Sequence, residues 1–186
     1  MLLLAACVVA LVSPVLVGRW PARLLLHRWR HPLVIWVALA LQVVALEVAL
    51  PGAIAPLLHV ATYAAALAFI WFNRGIAGVP VVGAGAASNG ITITLNGGTL
   101  PASPAAVAAA GVDPGDGFAN SAVADDPVLY WLGDVFAWPT PLPLANTFSA
   151  GDVLILVGVL LAVWTGTLRL GRGPSKGSQE QLDAPA

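Results

Sequence analysis

The chain has 186 residues, 59% of them apolar and 9% charged, against roughly 45–50% apolar and about 25% charged in a soluble domain. That balance argues against a soluble globular protein, and a net charge of −1 with no basic run argues against nucleic-acid binding. One Cys and three His provide neither an internal disulfide nor metal-ligand spacing, so no metal and no cofactor is expected.

Four segments, residues 2–17, 32–50, 53–72 and 153–170, are apolar over about the length that crosses a hydrocarbon core. The first has no basic stretch before it, so it reads as a span and not as a cleaved leader. Cys7 within it reads as an ordinary packed or lipid-facing residue. A fifth stretch, residues 75–95, is punctuated by Gly75, Gly78, Gly83, Gly85 and Gly90 with Pro80, Ser88 and Asn89. Charge decides its status, because short loops rich in Lys and Arg stay in the cytoplasm. Counting it as a span puts Arg19, Arg23, Arg28, Arg30, Arg74, Arg169, Arg172 and Lys176 on one side, whereas four spans would put the last three opposite the rest.

The expected fold is therefore an all-α membrane protein: a five-transmembrane-helix bundle, N-terminus outside and C-terminus inside, with residues 1–172 as one polytopic domain. Seven Arg to one Lys, beside heavy Ala, Val, Gly and Pro usage, resembles a GC-rich bacterial genome and points to the bacterial cytoplasmic (inner) membrane. Small residues let helices approach closely in lipid, so the Gly-rich span is expected among the others. Trp20, Trp29, Trp36, Trp71, Trp131 and Trp138 fall where indoles anchor at headgroup level.

A long extracytoplasmic loop, residues 96–148, joins the last two spans, and connections of that length are commonly functional or disordered. Ser103 as N-cap, Pro104 at the first helical position and Gly111 at the end mark a short helix. Residues 115–121 read as flexible. Residues 128–138 place Val128, Leu129, Trp131, Leu132, Val135 and Phe136 at helical spacing, an interfacial helix by that pattern. The Pro-rich run from Trp138 to Pro143 cannot be helical throughout and is expected to be extended. The tail, residues 173–186, is too polar to fold alone and is expected to be disordered in the cytoplasm.

Ionisable groups inside spans are functional candidates by default. Glu47 and His59 lie about 5 and 9 Å below the outer boundary on neighbouring helices, either as a structural hydrogen-bonded pair or as an outward polar cluster; both readings point them into the bundle. Asn96-Gly97-Gly98 is either a tight turn or a nest of amides for an anion. Asn89 needs a partner on an adjacent helix. Ser149 and Asp152 have capping-box spacing at the start of the last span, an explanation complete without catalysis. Asp134 is a second carboxylate that the intervening prolines could bring back above that helix start, and two close carboxylates share a proton and can activate water.

Asn96-Gly97-Gly98-Thr99-Leu100-Pro101, Leu132-Gly133-Asp134 and the stretch from Asn146 to Ile155 resemble an uncharacterised bacterial membrane family, domain of unknown function 5317, over roughly residues 1–170. That resemblance implies a membrane fold and no activity. Locally, Leu132-Gly133-Asp134-Val135-Phe136 and the segment from Phe148 to Ile155 are similar to the two aspartate motifs of lipoprotein signal peptidases. That second resemblance implies an aspartyl endopeptidase with an Asp134/Asp152 catalytic dyad, oriented with help from Asn96 or Asn89. Ser149 and Gly151 stand where that family has Asn and Ala, and its Asn-x-x-Asp-Arg motif has no counterpart here.

Two functions follow from these readings. One is an integral membrane protein of unknown activity with an outer-leaflet polar cluster of Asn96, Gly97, Gly98, Asn89, Glu47, His59 and Ser149; the alternative is the endopeptidase. Expected partners are membrane lipid and a membrane protein or lipoprotein. A transporter is disfavoured by small size and the lack of an inverted repeat.

Overall fold

The structure is a computed structural model that describes residues 1–48, 50–112 and 120–169. Its first helix, α1 (Leu2–Leu16), carries Pro14 in its last turn, and the chain leaves through Gly18 at φ +68° into a two-residue strand, β1 (Arg19–Trp20). A single turn, α2 (Ala22–Leu25), leads to α3 (Pro32–Glu47), which starts where Pro32 supplies the fixed φ of a first helical residue. The Pro51-Gly52 corner reverses the chain into α4 (Ile54–Phe72). Gly78 at φ +89° and Pro80 then set the start of α5 (Val79–Leu95), four residues inside the span expected from the sequence.

The long loop contains β2 (Leu100–Pro101), α6 (Pro104–Ala110), β3 (Ser121–Ala122), a 3-10 turn at Tyr130–Leu132, β4 (Phe136–Trp138) and β5 (Asn146–Phe148). The last long helix, α7 (Ala150–Trp164), is followed by β6 (Leu168–Arg169), which pairs antiparallel with β1. The expected helix after Ser103 is present with its anticipated ends: the Ser103 hydroxyl accepts from Ala106 N and Gly111 closes it in the left-handed region. The flexible stretch lies largely in residues 113–119, with Asp113 and Asp116, and the tail in 173–186; these are outside the described residues.

Two expectations for the loop are corrected. Residues 128–138 are not a helix, because long-range partners claim their backbone. Asp134 N donates to Pro101 O at 2.8 Å, Ser103 N donates to Asp134 O at 3.0 Å, and Leu129 sits at φ +55°. The segment instead runs into β4, which pairs with β5 through Phe136 and Phe148. The Pro-rich run is not extended either: it makes the turns of this hairpin, with Trp138 Nε1 donating to Pro143 O.

The five long helices are packed in the order α3, α4, α5, α7, α1, and the α5–α7 contact is the most extensive. Glycine makes that contact possible. A Cβ on Gly85 would stand 2.3 Å from Gly151 O, and one on Gly158 would stand 2.5 Å from Val82 N. Around this seam the helices expose large apolar side chains, among them Leu4, Leu33, Trp36, Leu57 and Trp71, each more than 60% exposed. Among the described residues one helix, α4, is long and apolar enough to cross a membrane by itself, yet only 17% of its most apolar window is buried; the other four long helices are apolar and 15–17 residues long. Arg19, Arg23, Arg30, Arg74 and Arg169 gather at the end of the bundle away from the long loop.

Candidate functional site

The first half of the site is the start of α7. The Ser149 hydroxyl accepts from Asp152 N at 3.0 Å, and Asp152 Oδ2 accepts from Ser149 N at 3.1 Å, a reciprocal capping box. Asn89 from α5 completes it across the helix seam. Its Nδ2 donates to Asp152 Oδ1 at 2.9 Å and its Oδ1 accepts from the Ser149 hydroxyl at 2.9 Å. A Cβ at position 151 would stand 2.0 Å from Asn89 Oδ1, so Gly151 is the residue that admits this amide.

The second half is Asp134, held by its backbone rather than by a helix. The segment from Leu100 to Ala102 is flanked on one side by β3, in parallel register with Leu100 opposite Ser121, and on the other by Asp134, bridged to Ala102. A Cβ on Gly133 would meet Pro101 O at 2.2 Å, so Gly133 permits the bridge. Asp134 is only 5% exposed. Its Oδ2 accepts from the Thr147 hydroxyl at 3.3 Å, while its Oδ1 and the Ser121 hydroxyl are both buried with no hydrogen-bond partner among the described residues.

Burial, above all, lifts the Asp134 pKa from 3.8 to about 6, and the Asp152 charge raises it further; Ser121, close by but short of hydrogen-bonding geometry, and Thr147 pull it back. A carboxyl in that state exchanges protons near neutral pH, which is what acid–base work requires. Both carboxyls and Asn89 line one cavity of about 1020 Å³, whose apolar walls include Leu2 and Val9 of α1 and Val153 and Leu156 of α7.

The other polar residues singled out from the sequence, Glu47, His59, Asn96, Gly97 and Gly98, do not line this cavity. His59, fully buried, donates from Nδ1 to Gly98 O at 2.7 Å; a carbonyl can only accept, so Nδ1 carries the proton. Glu47 does not accompany it into the bundle: it is exposed at the end of α3 and makes no ion pair or hydrogen bond among the described residues. The tie between α3 and α4 is instead Thr62 donating to Gln42.

Asn96 orients the loop and not the carboxyls, donating to Val128 O at 2.8 Å and accepting from Val128 N at 2.9 Å. Gly97 and Gly98 form a turn, with Gly98 N already donated to Ile93 O. That leaves the proposed anion nest without its Gly98 amide. Thr147 and Ser121 are the site residues the sequence reading missed. Thr147 stands inside the Asn146-Thr147-Phe148 motif, whereas nothing in the sequence marks Ser121.

A family model described as a family of unknown function, DUF5317, matches residues 26–164, three quarters of the chain. The chain belongs to that family. The matched region of DUF5317 takes in Asn89, Asp134, Thr147, Ser149 and Asp152 and leaves out α1, one wall of the cavity, so it is shorter at both ends than the resemblance over residues 1–170. No curated protein and no solved structure matches the chain.

Proposed function

We propose that the chain is a five-span protein of the bacterial cytoplasmic membrane, N-terminus outside and C-terminus inside, whose outward-facing cavity is its functional site. The low burial of α4 supports this, since a soluble protein's core helix would be covered by its own chain and this one leaves its apolar surface bare. Helices of 15–19 residues reach about 23–29 Å at 1.5 Å per residue, close to the hydrocarbon thickness. In a Cys7→Ser background, a cysteine placed at position 74 should react with an impermeant thiol reagent only after the membrane is permeabilised. Labelling of intact cells would reject the orientation.

The chemistry this site favours is that of an aspartyl endopeptidase, and the single observation that carries it is that Asp134 and Asp152 line the same cavity. In that reading one carboxylate takes a proton from a water as its oxygen attacks the scissile carbonyl carbon. The protonated partner gives its proton to the carbonyl oxygen, and collapse of the tetrahedral adduct breaks the C–N bond as the leaving amine takes the proton that the first carboxylate had removed from water. Asn89 holds Asp152, and Thr147 holds Asp134.

The test is incubation of purified wild type, Asp134→Asn and Asp152→Asn with bacterial membrane lipoprotein precursors. Cleavage by wild type, lost in both folded variants by a factor of about 10² or more, is the expected result. Absence of cleavage by wild type removes the peptidase and leaves the membrane protein with a structural cap at Asp152.

A further inference from the structure

The end of the bundle opposite the cavity holds an arrangement that the carboxyl site does not use. In the β1–β6 ribbon Arg19 stands directly opposite Arg169. Opposed residues of an antiparallel pair project to the same face, about 4.5–5.5 Å apart at Cβ, and like charges there repel. Arg23 of α2 joins them: a Cβ on Gly166, which sits at φ +74°, would meet the Arg23 stem at 2.8 Å. The turn after α7 is thereby folded onto that side chain.

Arg19 is half-buried and its Nε donates to the Thr167 hydroxyl at 2.7 Å, which fixes the guanidinium plane and leaves its Nη groups for another partner. Among the described residues every carboxylate, from Glu47 to Asp152, belongs to the other end of the bundle. The opposite face of the same ribbon presents Trp20 paired with Leu168, 43% and 62% exposed. One face is cationic and the other apolar, the pattern of a segment lying at headgroup level.

We infer that Arg19, Arg23 and Arg169 form a binding site for the phosphate of an anionic phospholipid. A phosphate accepts from several guanidinium N–H groups at once and cancels the repulsion that the ribbon's register creates. The shared chemistry is a phosphate anion. The apolar Trp20–Leu168 face assigns it to a lipid and not to free phosphate, and basic pockets between helices at a cytoplasmic surface are known to hold such headgroups.

The experiment uses the full-length protein in neutral detergent, with short-chain phosphatidylglycerol, phosphatidylcholine and inorganic phosphate as probes and native mass spectrometry as readout. Phosphatidylglycerol should bind at least about tenfold more tightly than phosphatidylcholine. The Arg19→Gln/Arg169→Gln double variant should lose roughly twentyfold of that affinity. Arg74→Gln removes the same kind of charge from a side chain stacked on Trp71 and should bind like wild type.

The double variant should also melt higher than wild type without lipid, because the repulsion is gone; a merely structural pair would melt lower. Phosphate binding as tightly as phosphatidylglycerol, an equal loss in Arg74→Gln, or no headgroup preference would each overturn the site. This assay is blind to sidedness, which thiol labelling alone reads, so the lipid site and the topology fail separately.

Discussion

Gly85→Ala should destabilise the protein by about 3 kcal/mol, although alanine is the better helix former by about 1 kcal/mol. The two effects have opposite signs, and geometry decides between them. The added methyl would stand 2.3 Å from Gly151 O and 2.9 Å from Ile155 N, both backbone atoms that no rotamer change can move. Relief requires α5 and α7 to separate, and overpacking of this kind costs about 1–3 kcal/mol.

Separation also reaches the site. Asn89 lies one turn beyond Gly85, and its bonds to Asp152 and Ser149 are the polar links across this seam; weakening the cap adds about 0.5–2 kcal/mol. For a chain of this length the sum lowers the melting temperature by roughly 6–12 °C, measured in detergent by tryptophan fluorescence. Gly75→Ala is the control, since nothing lies within 4 Å of a Cβ there, and it should be neutral or slightly stabilising. A Gly85→Ala protein as stable as Gly75→Ala would show that the glycine seam is not what holds α5 to α7.

The same seam explains how much of the molecule was legible in the sequence. The long helices were readable because each is an apolar run bounded by its own local signals, such as Pro32, the Pro51-Gly52 corner, and Gly78 with Pro80. The short helix after Ser103 was readable for the same reason, its cap and its terminal glycine being adjacent to it in sequence. Residues 128–138 misled because apolar spacing reports only local preference, whereas Asp134 is fixed by Pro101 and Ser103, more than thirty residues away.

The helix that carries each polar residue was legible and the face it occupies was not. Each residue turns about 100° around a helix axis, and Glu47 ends exposed at the end of α3 while His59 ends buried against Gly98. That Asn89 needs a partner is legible in the sequence; that the partner is the cap of α7, 63 residues on, follows only from the close approach that Gly85 and Gly151 permit. Ser121 carried no signal because its place beside Asp134 is created by the register of β3 on β2.

Asp134→Asn should stabilise the protein at neutral pH by up to about 3 kcal/mol, and the gain should vanish in acid. Folding raises the carboxyl's pKa from 3.8 to about 6, so the folded state holds its proton more tightly than the unfolded chain does. Below about pH 4 both states are protonated and nothing is lost. Between about pH 4 and 6 the unfolded chain ionises first, so stability falls as pH rises; above about pH 6 both are ionised and the full penalty remains.

A shift of about two units corresponds to about 3 kcal/mol at 1.36 kcal/mol per unit. The amide of asparagine keeps the shape without the charge. Melting temperatures of the two proteins should therefore diverge from pH 4 to pH 6 and run parallel above it. A variant that melts below wild type at pH 8 would mean that the buried carboxylate is stabilised where it stands. The proposed dyad accounts for such a cost: on that reading the charge that destabilises the fold is the one that would act in the cavity shared with Asp152.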